Sequence, residues 1–197
     1  MKVLQIQKEQ WEEVKEIYLE AFPKRERKPF SSLRRGVRRG KVQLLTAVEG
    51  DQVLGFTAVI PYESMVMVDY LAVSGKIRSR GTGSEILQEV CRIFADKKIV
   101  LLGLPVILTV TFVIVLLIEK EDARAENCQQ RIARRRFYVK NGFASSGIFT
   151  DGQSGAMEIM TSGGSVTPGE YLRLQKYALG RLFFRLSRIR ITKKEGE

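Results

Sequence analysis

Polar and apolar residues alternate over residues 2–7, and that period of two predicts a first strand. Over residues 8–22 the period lengthens: Trp11, Val14, Ile17, Tyr18 and Phe22 recur at helical spacing until Pro23 stops the helix. The basic run Lys24-Arg25-Glu26-Arg27-Lys28 follows, read either as a solvated loop or as a lid that selects a polar or acidic acceptor. A short helix comes next, from Ser31 as its N-cap through Val37 to Gly40. Residues 41–48 and 52–60 read as two strands of a hairpin joined through Glu49-Gly50-Asp51, the second ended by Pro61. A fourth strand, Met67-Val68-Asp69-Tyr70-Leu71-Ala72-Val73, leads through a turn to a helix over 84–95 that buries Ile86, Leu87, Val90, Ile93 and Phe94.

The second half repeats the alternation of element types. An apolar run ends at Glu119, and a helix over about 123–139 closes on Asn141-Gly142-Phe143, with the glycine suited to a left-handed cap. Residues 147–150 and 156–161 read as a final strand pair around Asp151-Gly152-Gln153. Beyond them, residues 167–191 form an amphipathic pattern that opens with Thr167 as N-cap and Pro168 in first place. Its apolar face holds Tyr171, Leu174, Ala178, Leu182, Leu186 and Ile189, opposite Arg173, Lys176 and Arg188. Such a helix either docks on the sheet or on a second subunit, or rests on an anionic membrane.

Composition narrows the choices. The 197 residues suggest one domain. A net charge of +11 suits an anionic partner, but the basic residues fall in separate clusters and not in one stripe, so no nucleic acid is expected. The chain has no histidine, which removes Ser-His and Cys-His nucleophilic sites and the usual zinc sites together, and no metal is expected. Cys91 and Cys128 make no disulfide framework, Cys128 reads as a structural thiol, and no apolar signal follows Met1, so a cytoplasmic location is expected.

The chemistry is concentrated after the fourth strand, in Ser74-Gly75-Lys76-Ile77 and then Arg78-Ser79-Arg80-Gly81-Thr82-Gly83-Ser84. Glycines at 81 and 83 let main-chain N–H groups close around an anion, and the dipole of the following helix favours negative charge there. The spacing lacks the third glycine of a dinucleotide fingerprint and the Gly-Lys-Ser/Thr of a P-loop. Leu71-Ala72-Val73 followed by Arg78, Gly81 and Gly83 resembles the acyl-CoA loop of the GNAT superfamily of N-acyltransferases. Tyr138, Gly142 and Phe143 resemble the Tyr-x-x-x-Gly-Phe that closes the last helix in many of its members. The resemblance covers about residues 1–162.

It implies an α/β fold, a central mixed sheet of six to seven strands flanked by helices, and transfer of an acetyl group from acetyl-CoA to an amine. Backbone groups of Leu71 and Val73 would hold the thioester and pantetheine arm, and Arg78, Ser79, Arg80, Gly81, Thr82, Gly83 and Ser84 the pyrophosphate. Tyr138 stands at the family's position for the acid that protonates the departing thiolate. Met67 occupies the usual place of the carboxylate base, so the base falls to Asp69, to Glu63 at the strand entrance, or to water. Asn127 resembles the asparagine that opens the family's last helix but lies eleven residues before Tyr138 instead of seven, and its role is not carried over.

Residues 99–118 contain no charge, which meets the length of a membrane span. A span would put the anion loop and Tyr138 on opposite sides of a bilayer. It defines the competing class, a non-catalytic acyl-CoA-binding or membrane-associated protein. Yet Ile99-Val100-Leu101-Leu102 recurs as Ile114-Val115-Leu116-Leu117, and removing residues 103–117 restores a single strand running into Glu119. The second reading is therefore an apolar insertion before or within the fifth strand. The copy over 113–119 then occupies the sheet, and the remainder forms a flap that packs under the last helix, makes a dimer contact or touches a membrane.

Overall fold

The computed structural model describes residues 1–24, 27–77, 81–95, 97–100, 107–110, 112–152 and 155–193. The chain divides into two compact units, residues 1–61 with 68–93 and residues 62–67 with 94–197.

The first unit begins with β1 (Lys2–Gln5), a single 3-10 turn and α1 (Trp11–Ala21), which buries Val14, Ile17 and Tyr18. Helix α2 (Phe30–Arg38) starts one residue before the expected Ser31 cap, and no side chain caps it. Phe30 is drawn into the helix by its ring, which packs 5.9 Å from Trp11 and 5.5 Å from Tyr18. Strands β2 (Gln43–Glu49), β3 (Gln52–Tyr62) and β4 (Met65–Val73) follow, in the spatial order β1-β2-β3-β4. Pro61 does not end β3 as expected. The β2 partner runs out at Val59, so the missing proline N–H costs no bond to that neighbour. Strand β4 passes between the units at Met67 and Val68, and α3 (Thr82–Phe94) completes the first. Ile86, Leu87, Val90 and Phe94 of α3 are buried as the pattern predicts.

The second unit contains β5 (Lys97–Val100), β6 (Ile107–Val110), β7 (Val113–Glu119), α4 (Cys128–Lys140), β8 (Ala144–Asp151), β9 (Met157–Ser162), α5 (Pro168–Leu179), α6 (Arg181–Ser187) and β10 (Arg190–Lys193). Strands β7, β9, β8 and β10 lie in that order and pair antiparallel. Only one copy of the repeated Ile-Val-Leu-Leu enters this sheet. It is Ile114 to Leu117, paired with Ser162 to Ile159. Ile99 and Val100 of the other copy lie on β5, which pairs with β6 in a two-stranded sheet, and Leu101 and Leu102 lie outside the described residues. Gly103 to Val106 and Thr111 of the expected flap lie outside the described residues. Among the described residues no helix is long and apolar enough to cross a membrane, and the described parts of the apolar stretch include strands β5, β6 and β7.

Two expectations need correction. Helix α4 starts at Cys128 and not near 123, because the Asp122 carboxylate accepts the Arg124 N–H and holds residues 122–127 in turns. The C-terminal amphipathic pattern is not one helix. Thr167 and Glu170 cap α5 reciprocally and Pro168 opens it as predicted, but Gly180 adopts φ +78°, ψ 159°, which glycine alone takes without strain. The chain restarts as α6, turns at Arg188 with φ +49°, and ends as β10 beside β8. This strand raises the count outside the β5–β6 hairpin to eight, against the six to seven expected.

Excising residues 103–117 gives the same sequence as excising 99–113, since both leave Lys98 followed by Ile-Val-Leu-Leu-Ile-Glu. The variant removes most of the separate hairpin and keeps all of β7 but its first residue. A hairpin that pairs only with itself adds little stability. We expect the variant to give a higher soluble yield and one cooperative thermal transition within about 5 °C of the full chain, roughly 1–2 kcal/mol. Loss of that transition would show that residues 99–113 belong to the folding core.

Candidate active site

The site begins where β4 delivers the chain to α3. Gly55 of β3 allows the close approach that sets this geometry, since a Cβ there would stand 2.6 Å from the Ala72 carbonyl oxygen and 3.2 Å from the Val73 Cα. The Ser74 N–H donates to the Leu54 carbonyl at 2.9 Å and extends the pairing one residue past β4. Side chains of Leu71 and Val73 pack on the cluster of Ala47, Leu54 and Ile86. A 3-10 turn at Gly75–Ile77 follows, its first N–H donated to the Glu20 carboxylate at 3.2 Å. Arg78, Ser79 and Arg80 lie outside the described residues.

The chain then turns at Gly81, φ +86°, and its carbonyl accepts the N–H groups of Ser84 and Glu85 at 2.9 and 3.1 Å. Gly81 is thus the N-cap, and the helix starts at Thr82, two residues earlier than the pattern predicts. Thr82 and Gly83 open the first helical turn, where backbone N–H groups have no carbonyl partner within the helix and the dipole is positive, while the Ser84 N–H is already given to Gly81. Thr82 is buried. A main-chain anion cradle at a helix N-terminus is the arrangement that results.

Asp69 lies two residues before Leu71 on β4, and the structure gives it a partner that the sequence did not suggest. The Lys28 ammonium is 2.7 Å from each of its carboxylate oxygens and 5.6 Å from the centre of the Tyr70 ring. Lys28 is itself fixed through its backbone. Its N–H donates to the Tyr70 hydroxyl at 3.2 Å, and its carbonyl accepts the Tyr18 hydroxyl at 2.9 Å. Burial, then the hydrogen bond and charge of Tyr70, push the Tyr18 hydroxyl well above the usual phenol range, so it stays a donor. Burial and the charge of Lys28 lower the Lys41 ammonium below its ordinary value.

Glu63 and Tyr138 belong to the second unit. Glu63 sits in the turn between β3 and β4 with φ +52°, and its carboxylate is 4.0 Å from Arg173 of α5. Tyr138 is on the last turn of α4, its ring 5.8 Å from buried Phe143. Its carbonyl accepts N–H groups from Asn141 and Phe143, and Gly142 takes φ +84° as the left-handed cap. Burial raises the Tyr138 hydroxyl above its ordinary value, partly offset by Arg134, so it holds its proton through neutral pH. Asn127 donates to Glu119 at 3.1 Å and accepts from Arg131 at 2.8 Å, which gives it a fastening role on β7.

The strand, turn and helix belong to a fold of mixed α/β type. The profile of the Acetyltransferase (GNAT) family matches residues 11–107. Among curated proteins none matches in sequence. Solved structures do. An acetyltransferase from the GNAT family of Bacteroides thetaiotaomicron superposes with TM-score 0.65 at 18% identity, over 93% of this chain and 98% of its own. The aminoglycoside 6'-N-acetyltransferase of Enterococcus faecium gives 0.57 at 14%, over 82% and 96%. A Bacillus subtilis acetyltransferase in complex with CoA gives 0.56 at 14%, over 82% and 97%. The family profile covers just under half of the chain, and the solved structures share its mixed α/β fold.

Proposed function

We propose that this chain is a GNAT-family N-acetyltransferase that transfers the acetyl group of acetyl-CoA to the primary amine of a cationic acceptor. The observation that carries the reading is the positive-φ turn at Gly81 into the N-terminus of α3, in the connection that follows the Leu71-Ala72-Val73 strand end. In this reading the backbone of Leu71 and Val73 takes the acyl arm, and Arg78 to Ser84 take the pyrophosphate. Asp69 removes a proton from the incoming ammonium, and the Tyr138 hydroxyl protonates the thiolate. Glu63 serves less well as base, because its side chain is half exposed in a turn of positive φ and faces Arg173. The attacking amine must be neutral, so a carboxylate that meets it as an ammonium both binds and activates it.

Gly83→Glu tests the loop. Glutamate in a first helical turn suits the helix, so the fold is kept while a negative charge meets the pyrophosphate. Calorimetry should show acetyl-CoA affinity reduced about a hundredfold or more, the effect of losing roughly 3 kcal/mol. Unchanged affinity in the folded variant would remove the loop from the site.

Tyr138→Phe keeps the ring packing on Phe143 and removes the proton. Turnover should fall by roughly a hundred- to ten-thousandfold, with acetyl-CoA affinity little changed. An unaltered rate in the folded variant would return Tyr138 to packing alone.

A second reading, of location, rests on α6. Leu182, Phe183 and Leu186 are 67%, 65% and 56% exposed on a seven-residue helix that carries Arg181 and Arg185 and no acidic residue, with Arg188 next to it. Two copies of this face brought together would oppose arginine to arginine, whereas an anionic bilayer satisfies both the charge and the apolar rings. The chain should sediment with vesicles of anionic phospholipid at low salt and not with zwitterionic ones, and Phe183→Ser with Leu186→Ser should abolish it. Equal recovery of the variant with the anionic vesicles would exclude this helix as the contact.

A further inference from the structure

We infer that Lys28 is itself an acetyl acceptor, so that the enzyme acetylates its own chain at this residue and thereby uncovers Asp69. The inference rests on the donor site proposed above. Lys28 is not an ordinary surface lysine. Both of its backbone polar groups are bonded to buried or partly buried phenols, Tyr18 and Tyr70, which aim its side chain at β4. Its ammonium lies against both oxygens of Asp69, at 2.7 Å each, and beside the Tyr70 ring. A carboxylate and an aromatic ring around one primary ammonium are what a site for a cationic amine requires. Here the amine is supplied by the chain.

Position makes the contact chemical as well as structural. Asp69 is two residues from Leu71, about 7 Å along a strand, so the Lys28 nitrogen rests within one side-chain movement of the thioester that Leu71 would hold. An ion pair with one partner this exposed contributes little to stability, so the pairing is not explained by folding alone. In the step itself, Asp69 takes one proton from the ammonium. The neutral amine attacks the thioester carbonyl carbon, a C–N bond forms, and the C–S bond breaks. A second nitrogen proton passes to the sulfur, which leaves as the CoA thiol, and Asp69 returns its proton to water. The resulting acetamide carries no charge and cannot pair with Asp69, whose carboxylate is then open to an external ammonium.

The experiment is incubation of the full chain with acetyl-CoA and no added amine, followed by peptide mass spectrometry and, in parallel, calorimetry of acetyl-CoA binding. One acetyl group should appear on Lys28, at a rate per molecule that does not change with protein concentration. Lys28→Arg keeps the cation and should take no label. Asp69→Asn, checked for folding by thermal unfolding, should label roughly a hundredfold more slowly, the scale of a lost general base. Acetic anhydride provides the comparison: spontaneous acylation favours amines with lowered pKa and exposed stems, with Lys41 ahead of Lys28. Acetyl-CoA bound with Lys28 unlabelled, a label spread as with the anhydride, or full labelling of Lys28→Arg would each overturn the inference. Absence of acetyl-CoA binding would instead overturn the donor site, and this inference with it.

Discussion

The first unit depends on how two tyrosines hold one lysine's backbone. Tyr18 is fully buried and Tyr70 nearly so, with their rings edge to face at 5.0 Å. A buried phenol without a partner costs on the order of 1–3 kcal/mol, and both phenols here find a partner on residue 28. Phe22 and Phe30 close around the same pair, at 5.0 Å from Tyr70 and 5.5 Å from Tyr18. The connection between α1 and α2 is therefore not simply a basic loop over the surface. Its next-to-last residue, Lys28, is bonded to two phenols of an aromatic core and joined to β4 across 41 positions of sequence. That contact fixes which residue meets Asp69, and with it the environment an acceptor amine encounters.

The donor side depends on a different constraint, the absence of side-chain bulk at chosen points. Gly55 lets β3 reach the end of β4, and Gly81 lets the chain leave the loop with a positive φ that other residues rarely adopt. Gly55 acts at the end of β4 and Gly81 at the start of α3. In the proposed loop the helix N-terminus adds backbone donors and a positive dipole to the charge of Arg78 and Arg80. Net charge adds attraction at longer range, which affects encounter more than recognition.

Much of this was legible in the sequence because it is local. The alternation over 67–73, the two glycines beyond it and the glycine after Tyr138 each encode one turn of backbone. The structure moved their boundaries by one or two residues without changing their kind. Partnership was not legible. Nothing near Lys28 names Asp69, and the basic run that contains it reads as solvent-facing by composition. The clue lay in Tyr70 beside Asp69 and in Tyr18 on the buried stripe of α1, two phenols that needed donors or acceptors in a core. The break at Gly180 was visible as a glycine but was outweighed by the apolar spacing on either side of it. That spacing misled, since Leu182 and Leu186 are exposed and the chain finishes as an edge strand.

The repeated Ile-Val-Leu-Leu poses a choice that its own residues cannot make, because both copies carry the same strand propensity and the same apolar surface. What differs is the sequence that follows. The copy in β7 runs into Glu119, whose carboxylate accepts from Asn127 and pairs with Arg131 and Arg134 at 3.4 and 3.2 Å. Those three residues belong to the start and first turns of α4, so the strand end is fastened to the helix next to it in sequence. The copy Ile99 to Leu102 is followed in sequence by Gly103 and by no acidic residue before Glu119. Glu119 is largely shielded from solvent, and leaving its charge there without partners would be costly. Register in β7 is thus specified by a charged residue at the strand's edge and not by the four apolar residues that fill the sheet. The same logic explains why the duplication is tolerated: the surplus copy is excluded by a competition that it loses at one position, while the core itself is unchanged.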